Sequence, residues 1–453
     1  MQYILYTLAL VVLSFYFFPF EFTFMPGINT KMAMAGIGLI VLIIQYAKKR
    51  NVNLDKDFMS IVVLAVMVSL IGFTAVTYNG TSDYTYATYV VSMLVWLSAA
   101  NVIVSLIRNI HGRVEVSLVC DYLIVLCVVQ CSLALLIDSF PTVKHFIDSF
   151  LAGQGFMGNM DDRLYGIGCS LDVAGTRFCS ILLMCIYRLV GISSDTRITD
   201  INRRGLILWY LSAFMFIAVV GNMIARTTTI GIALSVVYLL ILTRPFSLSS
   251  IGKYKSLWRM SGIMLVIAVC CSILFYNISP AFKQNLRFAF EGFFSLAEKG
   301  TWEVHSNEIL KNMVVFPDEI KTWIIGNGYF ENPYYREPYY TGVRWHGYYQ
   351  NTDIGYLRFI FYFGVFGLIT FMAYFIKVAL TCRKRLPETG SLFLMFLLLN
   401  FAIWCKVSTD IFLVFALFLC LPYKTESDKL QVIGNNATVA KQVGETENNS
   451  ISD

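Results

Sequence analysis

Charge is scarce in this sequence. Only 14% of its 453 residues are Asp, Glu, Lys or Arg, while 57% belong to the apolar set; a water-soluble globular domain carries roughly 25% charged residues. That shortage leaves too little polar surface for a water-soluble particle. Histidine is scarcer still, with four in the chain. The eleven cysteines form no CxxC pair and have no His partner at metal-ligand spacing, which argues against a zinc ribbon or a dithiol redox motif. Most lie in apolar runs (Cys120, Cys127, Cys131, Cys185, Cys270, Cys271, Cys420) and read as small packing residues. No repeat with a period of roughly 20 to 50 residues is visible. Nor does a small-residue cleavage site follow the first apolar run, where Phe15 to Phe20 is bulky, so that run reads as a retained helix. The formal charge of +6 is an orientation signal and points to no nucleic acid partner.

What the chain has in abundance is apolar runs of about 17 to 22 residues, the length with which a helix covers roughly 30 Å of hydrocarbon. Twelve such runs fall near 3–20, 31–47, 58–77, 87–107, 116–137, 171–191, 205–224, 227–243, 259–277, 353–377, 391–405 and 407–423. They predict an all-α polytopic membrane protein of about 12 transmembrane helices. Basic clusters at Lys48–Arg50 with Lys56, Arg108 with Arg113, Arg197 with Arg203 and Arg204, Arg244 to Arg259, and Arg383–Arg385 fall in every second loop. By the positive-inside rule those loops and both termini are expected to be cytoplasmic. The expected organisation is nine spans over 1–277 with an outer loop at 138–170, a large outer loop at 278–352, three spans over 353–423, and a polar tail at 424–453 too poor in large apolar side chains to fold. Helical periodicity over Ala281–Glu298 and Ser306–Phe316, with Ser306 a candidate N-cap, makes the large loop a helical cap lying on the membrane.

Three groups of residues could carry chemistry. Arg226 lies in the tight turn GNMIARTTTIG between two apolar runs, where a guanidinium either binds a ligand or snorkels to headgroup phosphates. Asp161, Asp162 and Arg163 precede the sixth run, with Asp172 and Arg177 inside it. Asp172 and Arg177 are five positions apart and do not face each other on a helix, so Arg177 needs a partner elsewhere, on a neighbouring helix or on an anionic ligand. The densest cluster, REPYYTGVRWHGYYQNTDIGYLR, supplies Arg336, Arg344, His346, Asp353 and Arg358 among rings that include Tyr348. Those rings could stack on sugars or form an interfacial belt. Arginine suits phosphate or pyrophosphate through its planar fork of donors, and histidine can take a proton near neutral pH. No metal or cofactor site is read from these residues.

The span count, the late outer loop, GNMIARTTTIG, RLYGIG, IIGNGYF and RWHGYYQNTDIGYLRFIFYFGVFGLI together resemble the Wzy-type O-antigen polymerases of the O-antigen ligase and polymerase superfamily. Outer-loop arginines of that family are followed by ten residues and a glycine; Arg336 to Gly347 and Arg344 to Gly355 fit, and Arg163 reaches Ala174 instead. The resemblance implies a metal-independent membrane glycosyltransferase. It would join undecaprenyl-pyrophosphate-linked oligosaccharide repeats, of O-antigen or another surface polysaccharide, at the outer face of a bacterial inner membrane, with a chain-length regulator as a candidate partner. It further implies Arg226 and Arg344 on the donor pyrophosphate, His346 on the acceptor hydroxyl, and Arg163, Arg177, Arg336, Asp353 and Tyr348 on lipid phosphate or glycan. The rival expectations are an O-antigen ligase, from which the direct His346–Gly347 succession departs, and a transporter of lipid-linked glycan.

Overall fold

The structure, a computed structural model, describes residues 2–48, 55–152, 163–245, 248–333, 337–339, 343–345 and 347–422. Each of the twelve apolar runs forms a helix. They are α1 (Gln2–Phe17), α2 (Thr30–Lys48), α3 (Lys56–Asn79), α4 (Tyr89–His111), α5 (Val116–Ser139), α7 (Leu171–Ser194), α8 (Asp200–Ile224), α9 (Thr228–Thr243), α10 (Leu248–Ile278), α15 (Gly355–Arg385), α16 (Gly390–Trp404) and α17 (Phe412–Leu419). Between them lie α6 (Pro141–Phe150), α11 (Pro280–Ala289), α12 (Glu291–Lys299), α13 (His305–Asn312) and α14 (Ile320–Ile324). A short hairpin pairs β1 (Glu337–Tyr339) with β2 (Val343–Trp345).

Among the described residues eight helices are long and apolar enough to cross a membrane; α1, α2 and α9 are apolar but shorter. The last run departs from expectation, because only eight of its residues are helical. At 1.5 Å per residue that is about 12 Å, far short of a bilayer. This is a helical membrane protein whose individual helices differ in how fully other protein covers them. α7 lies at the centre with 83% of its apolar window buried, whereas the corresponding window of α10 is 0% buried.

Small residues let the helices close up. A Cβ at Gly38 of α2 would strike the Ser98 carbonyl of α4, and one at Gly231 of α9 would strike Cys179 of α7. Contacts of this kind hold helices together where lipid removes the hydrophobic drive for helix association.

The two ends of the bundle differ. One end carries the basic clusters in compact ion pairs: Asp57 takes Lys377 at 2.9 Å and Lys384 at 2.7 Å, Asp55 takes Arg385, and Arg197 takes Asp195 at 3.1 Å. The other end is capped by α6, α11 to α14 and the hairpin. The stretch expected as one helix over 281–298 breaks at Phe290, and α13 stops at Asn312, short of Phe316. Its N-cap is Val304, while Ser306 accepts a hydrogen bond from Arg226 at 3.1 Å. Neither α6 nor the hairpin was expected.

The resembling segments fold as packing devices. In RLYGIG, Gln130 of α5 holds Ile167 through both backbone groups (3.0 and 3.1 Å), and a Cβ at Gly166 would lie 2.6 Å from the Gln130 Oε1. In IIGNGYF, the Asn327 and Gly328 amides donate to the Phe361 and Tyr362 carbonyls at 2.6 and 3.0 Å. Those carbonyls are released because α15 breaks at Phe363 and Gly364, the latter at φ 71°, ψ −177°. Loop 326–331 therefore plugs a broken helix, and Asp83 Oδ2 holds it by accepting the Phe330 and Glu331 amides at 2.8 and 3.2 Å.

Candidate functional site

The short half of α15 ahead of its break carries Arg358, and the plugged loop carries Phe330 and Glu331 beside it. Arg358 donates to Ser408 Oγ at 2.8 Å and to the Phe330 carbonyl at 3.0 Å; its guanidinium lies 3.5 Å from the Phe330 ring centroid and 4.9 Å from that of Tyr348. Asp353 Oδ1 stands 3.6 Å from the same guanidinium and bonds the Tyr348 hydroxyl. Burial pushes the Asp353 carboxyl up to about 7, with Arg358 pulling the other way. Burial also raises the Tyr348 phenol.

Arg177 approaches the same space from α7, about two turns in from the capped end. It is 6% exposed, and among the described residues its guanidinium makes no ion pair or hydrogen bond; its Nε is buried without a partner, and it lies 5.5 Å from the Phe18 ring centroid. Asp172 does not serve it, as the helical spacing predicts. That carboxylate instead accepts from Lys406 at 3.1 Å and from Thr227, and Lys406 donates to Thr227 at 2.8 Å. A desolvated cation without a counter-charge is costly.

Arg177, Arg358, Tyr348, Glu331, Asp410 and Trp96 line one cavity of about 430 Å³. Lys31 adds a further cation beside it, 4.3 Å from the Trp96 ring centroid. Two guanidinia converging on an aromatic-walled space suit a phosphate or diphosphate ester bearing a sugar. The forks bind oxygens, and the rings stack on the sugar face.

Arg226 lies elsewhere. It lines a separate cavity of about 690 Å³ with Lys283, Arg287, Phe288 and Glu291. Its fork is engaged by the cap: Glu291 at 2.7 Å, the Phe288 carbonyl at 3.0 Å and Ser306 at 3.1 Å, with the Phe288 ring centroid 4.0 Å away. Arg163 stacks on the same ring at 4.9 Å. Of the sequence-derived residues, then, the structure brings Arg177, Tyr348 and Asp353 together and sets Arg226 and Arg163 apart on Phe288. Arg344 pairs by its backbone with Pro338 in the hairpin; its side chain, Arg336 and His346 lie outside the described residues, as do Asp161 and Asp162.

Sequence reasoning passed over Lys406 and Asp410. Both sit in KVSTD, a short polar stretch at the start of the last apolar run, a signal akin to the one that singled out Arg226. Lys31 likewise stands outside the three groups read from the sequence. No family model, no curated protein and no solved structure matches this chain.

Proposed function

We propose that the protein is a glycosyltransferase that polymerises oligosaccharide repeats carried on a polyprenyl pyrophosphate, working at the outer face of a bacterial inner membrane. One observation carries this reading: Arg177, buried and without a protein counter-ion among the described residues, shares a cavity with Arg358 and four aromatic side chains, Tyr86, Trp96, Phe330 and Tyr348. In this reading both arginines hold the donor diphosphate and stabilise the charge that develops as it departs, a contribution of about 100-fold or more per donor in comparable sites. Tyr348 and Trp96 seat the sugar, and Asp353 orients Arg358.

The reading takes all twelve runs as crossings, with both termini cytoplasmic and the cap outside. The sequence resemblance points the same way, although the diphosphate falls to Arg177 and Arg358 rather than to Arg226 and Arg344. A ligase remains the nearest rival, since it would use the same donor.

The test is elongation of a lipid-linked repeat unit by the purified protein in detergent or liposomes, followed by gel and mass spectrometry. Wild type should build ladders of repeats, and Arg177→Ala or Arg358→Ala should lose at least about 100-fold in rate. If repeats are never joined, yet preformed chains are moved to a lipid A core acceptor, the protein is a ligase.

A further inference from the structure

Inversion at an anomeric carbon needs a group to take the acceptor's proton, on the side of the sugar away from the leaving diphosphate. The cavity offers two lining carboxylates, Glu331 and Asp410, with Asp353 at its edge. Asp353 is committed to Arg358 and Tyr348. Glu331 sits on the plugged loop, bridged through its backbone to Tyr348.

Asp410 differs from both. Its Oδ1 accepts the Phe412 amide at 2.8 Å, which fixes the side chain at the start of α17. Oδ2 has no hydrogen bond or ion pair among the described residues. Lys31 from α2, Tyr86 just ahead of α4, Tyr89 in α4 and Tyr374 from α15 interact electrostatically with it, while Arg177 from α7, Arg358 from α15, Glu331 and Tyr348 line the same cavity. The charged side chains nearby leave Oδ2 unoccupied, and Tyr86 and Tyr348 form part of the cavity wall beside it.

From this geometry we infer that Asp410 is the general base of the transfer, an inference that rests on the polymerase reading above. The acceptor hydroxyl oxygen attacks the anomeric carbon of the donor sugar and forms the new glycosidic bond. The bond from that carbon to the diphosphate oxygen breaks, and its electron pair leaves on the diphosphate, held by Arg177 and Arg358. The hydroxyl proton passes to Asp410 Oδ2 and is later released to water. No oxidant, reductant or further reactant is needed, and the anomeric configuration inverts.

The experiment measures kcat, KM and the pH profile of repeat elongation for wild type, Asp410→Asn, Asp410→Glu and Glu331→Gln. Asn preserves the acceptor for the Phe412 amide and removes the base. It should lower kcat by about 100-fold or more, leave KM for the lipid-linked donor within about threefold, and abolish the acid limb of the kcat profile. Asp410→Glu should recover part of the rate, and Glu331→Gln should retain the acid limb. A melting temperature within a few degrees of wild type, with donor binding intact, separates lost chemistry from lost fold. Retention of wild-type kcat and of the acid limb in Asp410→Asn overturns the assignment while leaving the polymerase standing. A fall that appears only in KM overturns it in favour of a binding role. A wild-type protein that never joins repeats overturns both readings.

Discussion

Arg177 is a residue whose fold and function pull in opposite directions. A buried guanidinium without a counter-charge among the described residues carries a desolvation penalty that nothing repays in the empty protein, and an apolar side chain of similar volume removes that penalty. Arg177→Met should therefore raise the melting temperature in detergent while removing transfer activity. A lowered melting temperature would mean that the cation is needed for packing, and the ligand argument would lose its support. Arg226 makes the opposite prediction. Its side chain is 17% exposed against a Glu291 that is 33% exposed, and it ties α12 and α13 to the α8–α9 turn. Arg226→Ala and Glu291→Ala should each destabilise the cap, and a double-mutant cycle should give a coupling of about 1 to 3 kcal/mol. Additive effects would release Arg226 for a role with substrate. Asp353 gives a pH signature. Its carboxyl, at about 7 in the folded protein, lies above the roughly 3.9 of an unfolded aspartate, so between those values the native state binds the extra proton. Its contribution favours folding in acid and is lost as pH rises through about 7. The melting temperature should fall more steeply between pH 5 and 8 in wild type than in Asp353→Asn; parallel slopes would show that this carboxyl titrates normally.

At the scale of elements, the break in α15 shows why the site was only half legible in the sequence. Apolar run length located all twelve helical stretches, because hydrophobicity and helix length are local properties of the chain. What it could not reveal is that α15 would break, since FYFGVFGL reads as an uninterrupted span and the cause lies in a loop some forty residues earlier. Gly364 adopts φ 71°, ψ −177°, a region open almost only to glycine. A Cβ there would also strike the Ile324 carbonyl, just as one at Gly326 would strike that of Tyr362. The two glycines let the loop's backbone replace the helix's own hydrogen bonds, and Arg358 is aimed by the result. Arg177 could be flagged from sequence because it is a charge in an apolar run, whereas Asp410 and Lys406 sit in a short polar break that also reads as an ordinary turn. Gly364→Ala should cost about 3 kcal/mol or more, from backbone strain together with the carbonyl clash, and should uncouple Arg358 from the cavity. Folding and activity within twofold of wild type would mean that the break does not position the site.

At the scale of the molecule, the question is how an eight-residue α17 completes the bundle. The segment between α16 and α17 is not helical, yet its polar groups are met inside the protein. Asn400 Oδ1 accepts the Ile411 amide at 3.1 Å, Ser408 accepts from Arg358, and Lys406 bonds Asp172. Irregular backbone at membrane depth is tolerated where protein or a polar cavity supplies the missing partners. On this argument the last two runs form an in-and-out pair, with α16 rising to the cavity and the short α17 returning from it. The number of crossings then stays even, and the cap and the cavity face the side opposite the basic clusters. Alkaline phosphatase fused after Thr301 should be active, and fused after Thr196 or Glu388 inactive, because the enzyme folds only outside the cytoplasm. The opposite pattern would turn the cavity toward the cytoplasm, where nucleotide-activated sugars are at hand, and would remove the reason for assigning the arginines to a lipid-linked donor.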